Sequence, residues 1–200
     1  MPTVVTHVVA AVAIGAATGL RAKAQGPSTR LGLWPLGLGP TPRSFWWLTA
    51  ACAVLPDADV VTYDLGLAYG HMLGHRGLSH SLAFAVLIGG VVALILGRGA
   101  CRRARSRLFL YFTLVTASHG LLDALADEGL GVAFFAPFSE ERYFFPWRPL
   151  EVAPIGGHGF FITAPLEGGL RWITVFASEI LWVWLPAGIV VVLARLVGRR

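Results

Sequence analysis

Five apolar segments divide this chain and restrict it to a helical bundle that lies in a membrane. They are Val4–Leu20, Ser44–Leu55, Leu78–Gly97, Leu108–Ala126 and Trp172–Val197. A helix that crosses the hydrocarbon core of a bilayer needs about 20 apolar residues and at least about 17. Four segments meet that length, whereas Ser44–Leu55 is either a span extended by the preceding loop or a short core helix. We therefore predict one all-α domain over residues 1–200, a polytopic membrane helical bundle of four to five spans.

The composition agrees with a membrane protein and argues against two other classes. Hydrophobic residues make up 56% of the chain and charged residues 14%, whereas soluble domains average about 45–50% apolar and about 25% charged. The net charge of +5 lies between apolar segments rather than on a solvated face, so we predict a lipid bilayer and no nucleic acid as partner. Cys52 and Cys101 provide neither a disulfide framework nor a CxxC metal motif.

The positions of the basic residues predict an orientation. Segments 21–43, 98–107 and 195–200 carry 12 of the 16 basic residues and none of the 11 acidic ones. Because basic loops stay in the cytoplasm, a five-span bundle in the inner (plasma) membrane has its N-terminus outside. The acidic residues and all six histidines then lie in the outer half. The predicted site therefore faces the non-cytoplasmic side.

The longest connection, residues 127–171, is too hydrophobic to be a disordered linker. We predict a long, partly ordered outer loop that either folds over the outer face as a lid or lies in the headgroup layer. We predict that its aromatic residues anchor it at the membrane surface rather than line a substrate site; they include Phe134, Phe135, Phe144, Phe145 and Trp147.

Between the second and third apolar segments, Leu55–Ser81 collects seven ionisable residues. They are Asp57, Asp59, Asp64, His71, His75, Arg76 and His80. In a chain this apolar, metal binding or acid–base chemistry is the usual reason for so many ionisable residues in one segment. An extended backbone after Pro56 would aim Asp57 or Asp59 inward, and Ser79 is the predicted N-cap of the third segment. A second pair, His119 and Asp123, lies four residues apart on one face of a helix, where both can reach one metal or the carboxylate can orient the imidazole.

These patterns predict a metal centre with a hydrolytic role. The predicted ligands are His7, Asp57, His75, His80, His119 and Asp123. With Asp59 they exceed what one tetrahedral zinc ion can use, so two or three divalent ions are expected. The predicted catalytic residues are Asp57 or Asp59, which would position or deprotonate water, and Arg76, which would hold a substrate anion or form an ion pair with Asp57 or Asp64. Glu179 is either a ligand or base or a salt-bridge partner, while Asp64, His71 and His158 are predicted loop residues.

The same residues carry a resemblance to a known family. Five short motifs resemble those of the LexA-regulated, membrane-bound metal-dependent hydrolases. They are a Thr-His pair at His7, the Pro56–Asp59 motif PDAD, the His75–Ser81 motif HRGLSHS, the His119–Asp123 motif HGLLD and the pair Pro137-Phe138. The resemblance implies hydrolase activity and a divalent metal, Zn²⁺. The order of motifs is more distantly similar to zinc-dependent phospholipase C, an all-helical enzyme with a trinuclear zinc site. This chain departs from that pattern because it has no His-x-x-x-Glu pair near its C-terminus.

Two classes of function follow. The first is a membrane-bound metal-dependent hydrolase that cleaves an ester or phosphoester, lipid-linked or small, at the outer face. The second is a transporter that moves metal ions or protons through the same His/Asp residues, and a metal-stabilised scaffold without activity is a third reading. Transport needs polar residues through the full depth of the membrane, but inner halves of spans such as Ile14–Gly19 and Val86–Leu96 contain no ionisable group. The one-sided distribution favours the hydrolase.

Overall fold

The computed structural model of the protein describes residues 2–18, 42–98, 100–153 and 167–197. Most of the predicted loop over 25–43 and His158 lie outside the described residues. The helices are α1 (Val4–Ala17), α2 (Pro42–Val54), α3 (Val61–Asp64), α4 (Leu82–Leu96), α5 (Arg102–Ala124), α6 (Glu167–Glu179) and α7 (Leu185–Val197). A π-helical turn, Ile180–Trp184, joins α6 to α7 into one continuous helix. The described residues form no β-strand, so the all-α prediction is confirmed.

Pairwise helix packing builds the bundle around α5. The neighbouring helix α4 lies along α5, while α1 contacts α2, α5 and α7. Gly89 makes the α4–α5 approach possible, because a Cβ there would collide with the side chain and backbone of Thr113. A closely packed apolar cluster fills the first half of the α5 interface, where Phe45 of α2 stacks on Tyr111 with ring centroids 5.2 Å apart. The His/Asp residues of α5 lie one to two turns beyond this cluster.

The end of α2 sets the position of the two early aspartates. Pro56 has no N–H to donate, so the helix gives way to a 3₁₀ turn over Leu55–Val60. Both Asp57 and Asp59 are buried in that turn. The predicted extended backbone is therefore wrong, because the tighter helical turn brings both carboxylates inward.

A second 3₁₀ turn, Leu78–His80, leads into α4. Gly77 permits the close packing before it, since a Cβ at Gly77 would overlap the carbonyl oxygen of Met72. The N-cap of α4 is Ser81, whose hydroxyl accepts a hydrogen bond from the backbone N–H of Phe84 at 3.1 Å. The prediction that Ser79 caps this helix is wrong, because the chain makes one more turn before the helix begins.

The described part of the 127–171 loop folds against the Tyr69–Leu82 segment. The backbone N–H of Ala133 donates to the carbonyl of Arg76, and the N–H of Leu82 donates to the carbonyl of Phe134. Two isolated bridges, Ala126 with Leu150 and Val132 with Tyr143, close the loop on itself. The loop thus covers the segment that carries His75 and His80.

One described helix, Arg171–Val197, is long and apolar enough to cross a membrane. Most of its large apolar side chains are exposed, as expected of a helix surface in contact with lipid. Helices α1 and α4 are apolar but shorter than a full span. The arrangement of four to five spans stays a prediction.

Candidate metal centre

Four predicted ligands meet in one buried cluster, the central cluster. Asp57 comes from the 3₁₀ turn after α2, His80 from the turn before α4, and His119 and Asp123 from one face of α5. One ligand atom from each of the four lies within 4.8 Å of all the others. Two ligands of a single zinc ion lie at most about 4.4 Å apart, because each is about 2.0–2.2 Å from the metal. The spacing is close to that of a coordination shell.

The hydrogen bonds of His119 fix which ring nitrogen faces this cluster. Its Nδ1 lies 2.7 Å from the carbonyl oxygen of Ala53, which can only accept, so Nδ1 carries the proton. In the neutral ring, Nε2 then presents a lone pair to Asp57 Oδ1 at 3.1 Å. Two acceptors face each other in a buried site. A metal ion between them, or a proton on the ring, removes the conflict.

His80 has a similar arrangement. Its Nδ1 lies 3.1 Å from Asp59 Oδ2 and 2.9 Å from the hydroxyl of Ser79. Its Nε2 points the other way, at 3.3 Å from Asp123 Oδ2 and 3.7 Å from Asp57 Oδ1. A carboxylate that holds Nδ1 while Nε2 faces a metal is the usual outer-shell arrangement of histidine ligands.

His7 of α1 lies at the edge of the same cluster. Its ring stacks on that of His119 with centroids 3.7 Å apart, and its Nε2 is 4.0 Å from Asp123 Oδ1. The side chain is 1% exposed, yet neither ring nitrogen has a hydrogen-bond partner. Burying such a group without a partner is costly. The residue is therefore placed to serve as a further ligand after a small movement.

Unpartnered polar atoms are concentrated in this cluster. In the described part of the chain, the buried side-chain atoms without a hydrogen bond include both nitrogens of His7, Nε2 of His80, Oδ2 of Asp57, and both carboxylate oxygens of Asp123. Most buried polar groups in proteins are paired, so this many unpaired atoms around one point make the cluster a candidate cation site. Three buried aspartates and one buried arginine leave a formal charge of −2, which one divalent ion would balance.

A second group, Asp59, His75 and His80, shares His80 with the central cluster. Asp59 accepts hydrogen bonds from His75 Nδ1 at 2.8 Å and from the Ser79 hydroxyl, and its Oδ2 lies near His80 Nδ1. Burial alone raises the pKa of Asp59, but its hydrogen bonds with His75 and His80 outweigh burial and lower the pKa to about 2. Asp59 is thus an ionised acceptor that already has its donors.

Arg76 contacts the central cluster from the side of the loop. It is 1% exposed and adopts a left-handed backbone conformation with φ 61°, which is uncommon outside glycine. Its Nε lies 3.2 Å from Asp123 Oδ2 without hydrogen-bond alignment, and its Nη1 donates to the carbonyl of Glu128 at 2.8 Å. The predicted ion-pair partners, Asp57 and Asp64, are wrong, because the guanidinium pairs with Asp123. Its role toward a substrate anion stays a prediction.

The sequence matches one protein family over almost its full length. The match, to the family described as YdjM inner membrane protein, spans residues 1–199. The chain belongs to that family. A relative from Escherichia coli (strain K12), described as inner membrane protein YbcI, is 36% identical over 188 residues, which cover 93% of this chain and 92% of the relative. No solved structure matches the chain.

Membership of the YdjM inner membrane protein family supports the predicted location. Both descriptions place these proteins in the inner membrane, and this chain is accordingly an inner-membrane protein associated with the lipid bilayer. Neither description states an activity, a metal or a substrate. The chemistry of this family member therefore depends on its own residues.

The structure brings together most of the predicted site residues. Asp57, His80, His119 and Asp123 form the central cluster, and His75 lies beside it in the second group. His7 is adjacent. Asp64 and His71 are exposed, as predicted, but Asp64 ends the short helix α3 and does not lie in a loop.

Glu179 has other contacts than the two that the sequence predicts. It is fully buried and accepts hydrogen bonds from the backbone N–H and the hydroxyl of Thr3, the latter at 2.7 Å. It belongs to neither metal-ligand group of the described residues. Within the described part of the chain, the carboxylate satisfies the N-terminus of α1 and shows neither a metal-ligand group nor a salt bridge.

Sequence reasoning missed Arg142, which holds the loop over the site. Its guanidinium donates to the backbone carbonyls of His75 at 3.0 Å, Tyr69 at 3.2 Å and His71 at 3.1 Å. These contacts fix the segment that carries His75. The partners lie about 70 residues earlier in the chain and are backbone atoms, so no residue pattern indicates them.

Proposed function

We propose that this inner-membrane protein is a metal-dependent hydrolase whose metal centre is the central cluster. One observation carries the proposal: the lone pair of His119 Nε2 faces Asp57 Oδ1 at 3.1 Å in a site with several other unpartnered acceptors. An imidazole-and-carboxylate donor set without thiolates fits Zn²⁺ and is more typical of catalytic zinc than of cysteine-based structural sites.

The ligands proposed for this ion are His80, His119, Asp57 and Asp123, and His7 is the further ligand beside them. The second group, Asp59 with His75 and His80, either supports these ligands or holds a second ion. A zinc ion in such a site supplies a Lewis acid and lowers the pKa of bound water to about 7. The residues of the chain orient that water and receive its proton.

Between the two candidate bases, the contacts favour Asp57. Asp57 Oδ2 has no hydrogen-bond partner. Asp59 already interacts with His75, His80 and Ser79. A base must have an oxygen within hydrogen-bond reach of the proton that it accepts. Asp57 is therefore the proposed proton acceptor through Oδ2, while its Oδ1 faces His119 in the ligand cluster, and Asp59 positions the imidazoles.

The proposed substrate is an ester or phosphoester, lipid-linked or small, reached from the non-cytoplasmic side. The proposed topology is multi-pass with four to five spans, because 12 of the 16 basic residues lie in three segments that the positive-inside rule assigns to the cytoplasm. Arg76 balances Asp123 in the resting site and is placed to bind a substrate anion if that pair opens. Lysine would keep the charge but lose the bidentate fork.

Metal-ion or proton transport is less well supported by the packing. A transport path would have to continue from the central cluster along α5. The preceding turns of α5 instead contribute Tyr111, Phe112 and Val115, each at most 1% exposed, to an apolar cluster. This packing closes the direct route toward the other end of the bundle.

The test is the metal content and hydrolytic activity of the purified protein in detergent. We expect bound zinc, and cleavage of simple esters or lipid-linked phosphoesters that chelation abolishes and zinc restores. The His119→Ala variant should lose both. His71→Ala is the matched control, because His71 is an exposed histidine of the neighbouring loop. Protein that binds no divalent metal, or activity that survives both chelation and His119→Ala, would contradict the proposal.

A further inference from the structure

An apolar groove runs beside the central cluster. It has a volume of about 270 Å³ and lies between α1, the end of α5, the segment 147–150 and the last helix. Its lining includes Ala10, Ile14, Leu122, Trp147, Trp182 and Ala187. A buried apolar cavity of about 150 Å³ is enough to bind benzene, so this groove accommodates a considerably longer hydrocarbon.

The walls of the groove continue the helix faces that carry the metal ligands. On α1, His7, Ala10 and Ile14 are spaced i, i+3 and i+7, which places them on one face. On α5, Leu122 follows His119 by three residues and directly precedes Asp123. One helical turn rises about 5.4 Å. The inner wall of the groove is therefore about one turn from the proposed metal position.

The opposite wall belongs to the one described helix that can cross a membrane. Groove residues of this helix extend from Trp182 to Val190, a rise of about 12 Å at about 1.5 Å per residue. One leaflet of a bilayer has a hydrocarbon depth of about 15 Å, half of the full core. The groove is thus close to the length of a chain segment within one leaflet.

The outer edge of the groove is open and aromatic. Trp147 and Trp182 are 55% and 46% exposed, and their rings meet edge to face with centroids 4.7 Å apart. Exposed tryptophans are typical of the boundary between headgroups and hydrocarbon. A ligand in this groove would therefore have its polar group near the tryptophans and the cluster and its chain along the last helix.

We infer that the groove binds one alkyl chain of a lipid whose scissile ester or phosphoester lies at the central cluster. The inference rests on the proposed hydrolase and names its substrate class. A small soluble ester would leave the groove empty, whereas a lipid ester uses both the apolar groove and the adjacent polar cluster. Binding energy from the chain would then hold the ester bond in place.

Photolabelling of the full-length protein in detergent tests this inference. The probe is a long-chain alkyl phosphate with a diazirine on the chain, and labelled peptides are mapped by mass spectrometry. We expect labels on α1 and on the groove face of the last helix. Loading with zinc should increase this labelling, whereas an alkyl alcohol probe of the same length, which lacks the phosphate, should show no zinc dependence.

Ala187→Phe fills the groove from its buried wall. We expect about tenfold less groove labelling, which corresponds to about 1.4 kcal/mol, because the larger side chain displaces part of the bound alkyl chain. Ile189→Phe is the matched control, since Ile189 is 60% exposed and does not line the groove. If Ala187→Phe does not accumulate, Val190→Phe narrows the groove from its exposed edge.

The outcomes separate this inference from the proposed hydrolase. Three outcomes would overturn the inference, even in a zinc-dependent enzyme. They are labels spread evenly over exposed helix faces, equal labelling of Ala187→Phe and Ile189→Phe, and a groove covered by another part of the chain or by a second copy. Groove labelling that responds to Ala187→Phe in a protein that binds no metal would support the groove and reject the hydrolase.

Discussion

Two buried carboxylates in this bundle differ in whether they accept hydrogen bonds. At the α1 N-terminus, Glu179 receives one hydrogen bond from the backbone of Thr3 and one from its hydroxyl. One turn further along α1, Thr6 accepts a hydrogen bond from the indole N–H of Trp184 at 2.7 Å. These contacts join the first and last helices and leave the carboxylate satisfied. Within the same bundle, both oxygens of Asp123 lack a hydrogen-bond partner.

The comparison shows how a structural carboxylate differs from a ligand. Burial alone does not separate them, because Glu179 and Asp123 are both fully buried. Their surroundings do separate them, because Glu179 accepts two hydrogen bonds, whereas Asp123 faces three imidazoles and one misaligned guanidinium. A buried carboxylate that accepts hydrogen bonds stabilises the fold, whereas one without them is a candidate metal ligand. The predictions below test this distinction.

The largest effect is expected for Asp123→Asn. This change removes a proposed ligand and leaves Arg76 buried without its counter-charge, so we expect complete loss of bound metal and a lower thermal stability. Breaking a buried pair in this way costs about 3–5 kcal/mol. Metal analysis and thermal unfolding in detergent measure the two effects. Asp64→Asn, at an exposed aspartate, is the control. Full metal content in Asp123→Asn would remove Asp123 from the ligand set.

A smaller effect is expected for Asp59→Asn. If Asp59 acts by orienting His75 and His80, the metal affinity should fall by about 10–100-fold while saturating zinc restores the full stoichiometry. A competition titration with a zinc-binding dye measures both. Loss of one zinc per protein at saturation would instead show that Asp59, His75 and His80 hold an ion of their own. The titration therefore decides between a supporting group and a second metal site.

The sequence predicted which residues meet in the central cluster because the charge bias assigns them all to the outer half of the bundle and because they match the motifs of one family. Only the pair His119 and Asp123 follows from periodicity, since both lie on one face of α5. The long apolar segments likewise predicted α1, α4, α5 and the last helix, although Ser79 was assigned the cap that Ser81 provides.

The errors concern contacts between segments that are distant in the chain. The partner of Arg76 is Asp123 rather than Asp57 or Asp64, since the loop brings the guanidinium against α5. Glu179 meets Thr3 across 176 residues. Such pairs depend on how whole helices are placed, and periodicity within one helix carries no information about that placement.

Glu179→Met tests the other half of the comparison. Methionine has a similar length but accepts no strong hydrogen bond, so the N–H and hydroxyl of Thr3 lose their partner. We expect a loss of about 1–3 kcal/mol in the free energy of unfolding and an unchanged zinc stoichiometry. Chemical denaturation and metal analysis of the same sample measure both. If zinc were lost as in Asp123→Asn, Glu179 would have to be a ligand.

The smallest effect is expected for Ser81→Ala. Ser81 lies next to His80 in sequence, yet its hydroxyl caps α4 by accepting the N–H of Phe84 at 3.1 Å. Loss of an N-cap costs about 1 kcal/mol, so the midpoint of thermal unfolding should fall while zinc content and hydrolysis rate per folded protein stay unchanged. Ser81→Thr retains a capping hydroxyl and should recover most of the stability.

If Ser81→Ala abolished hydrolysis without lowering zinc content, and Ser81→Thr did the same, the serine hydroxyl would take part in the reaction. The reaction would then not use a metal-activated water as its nucleophile.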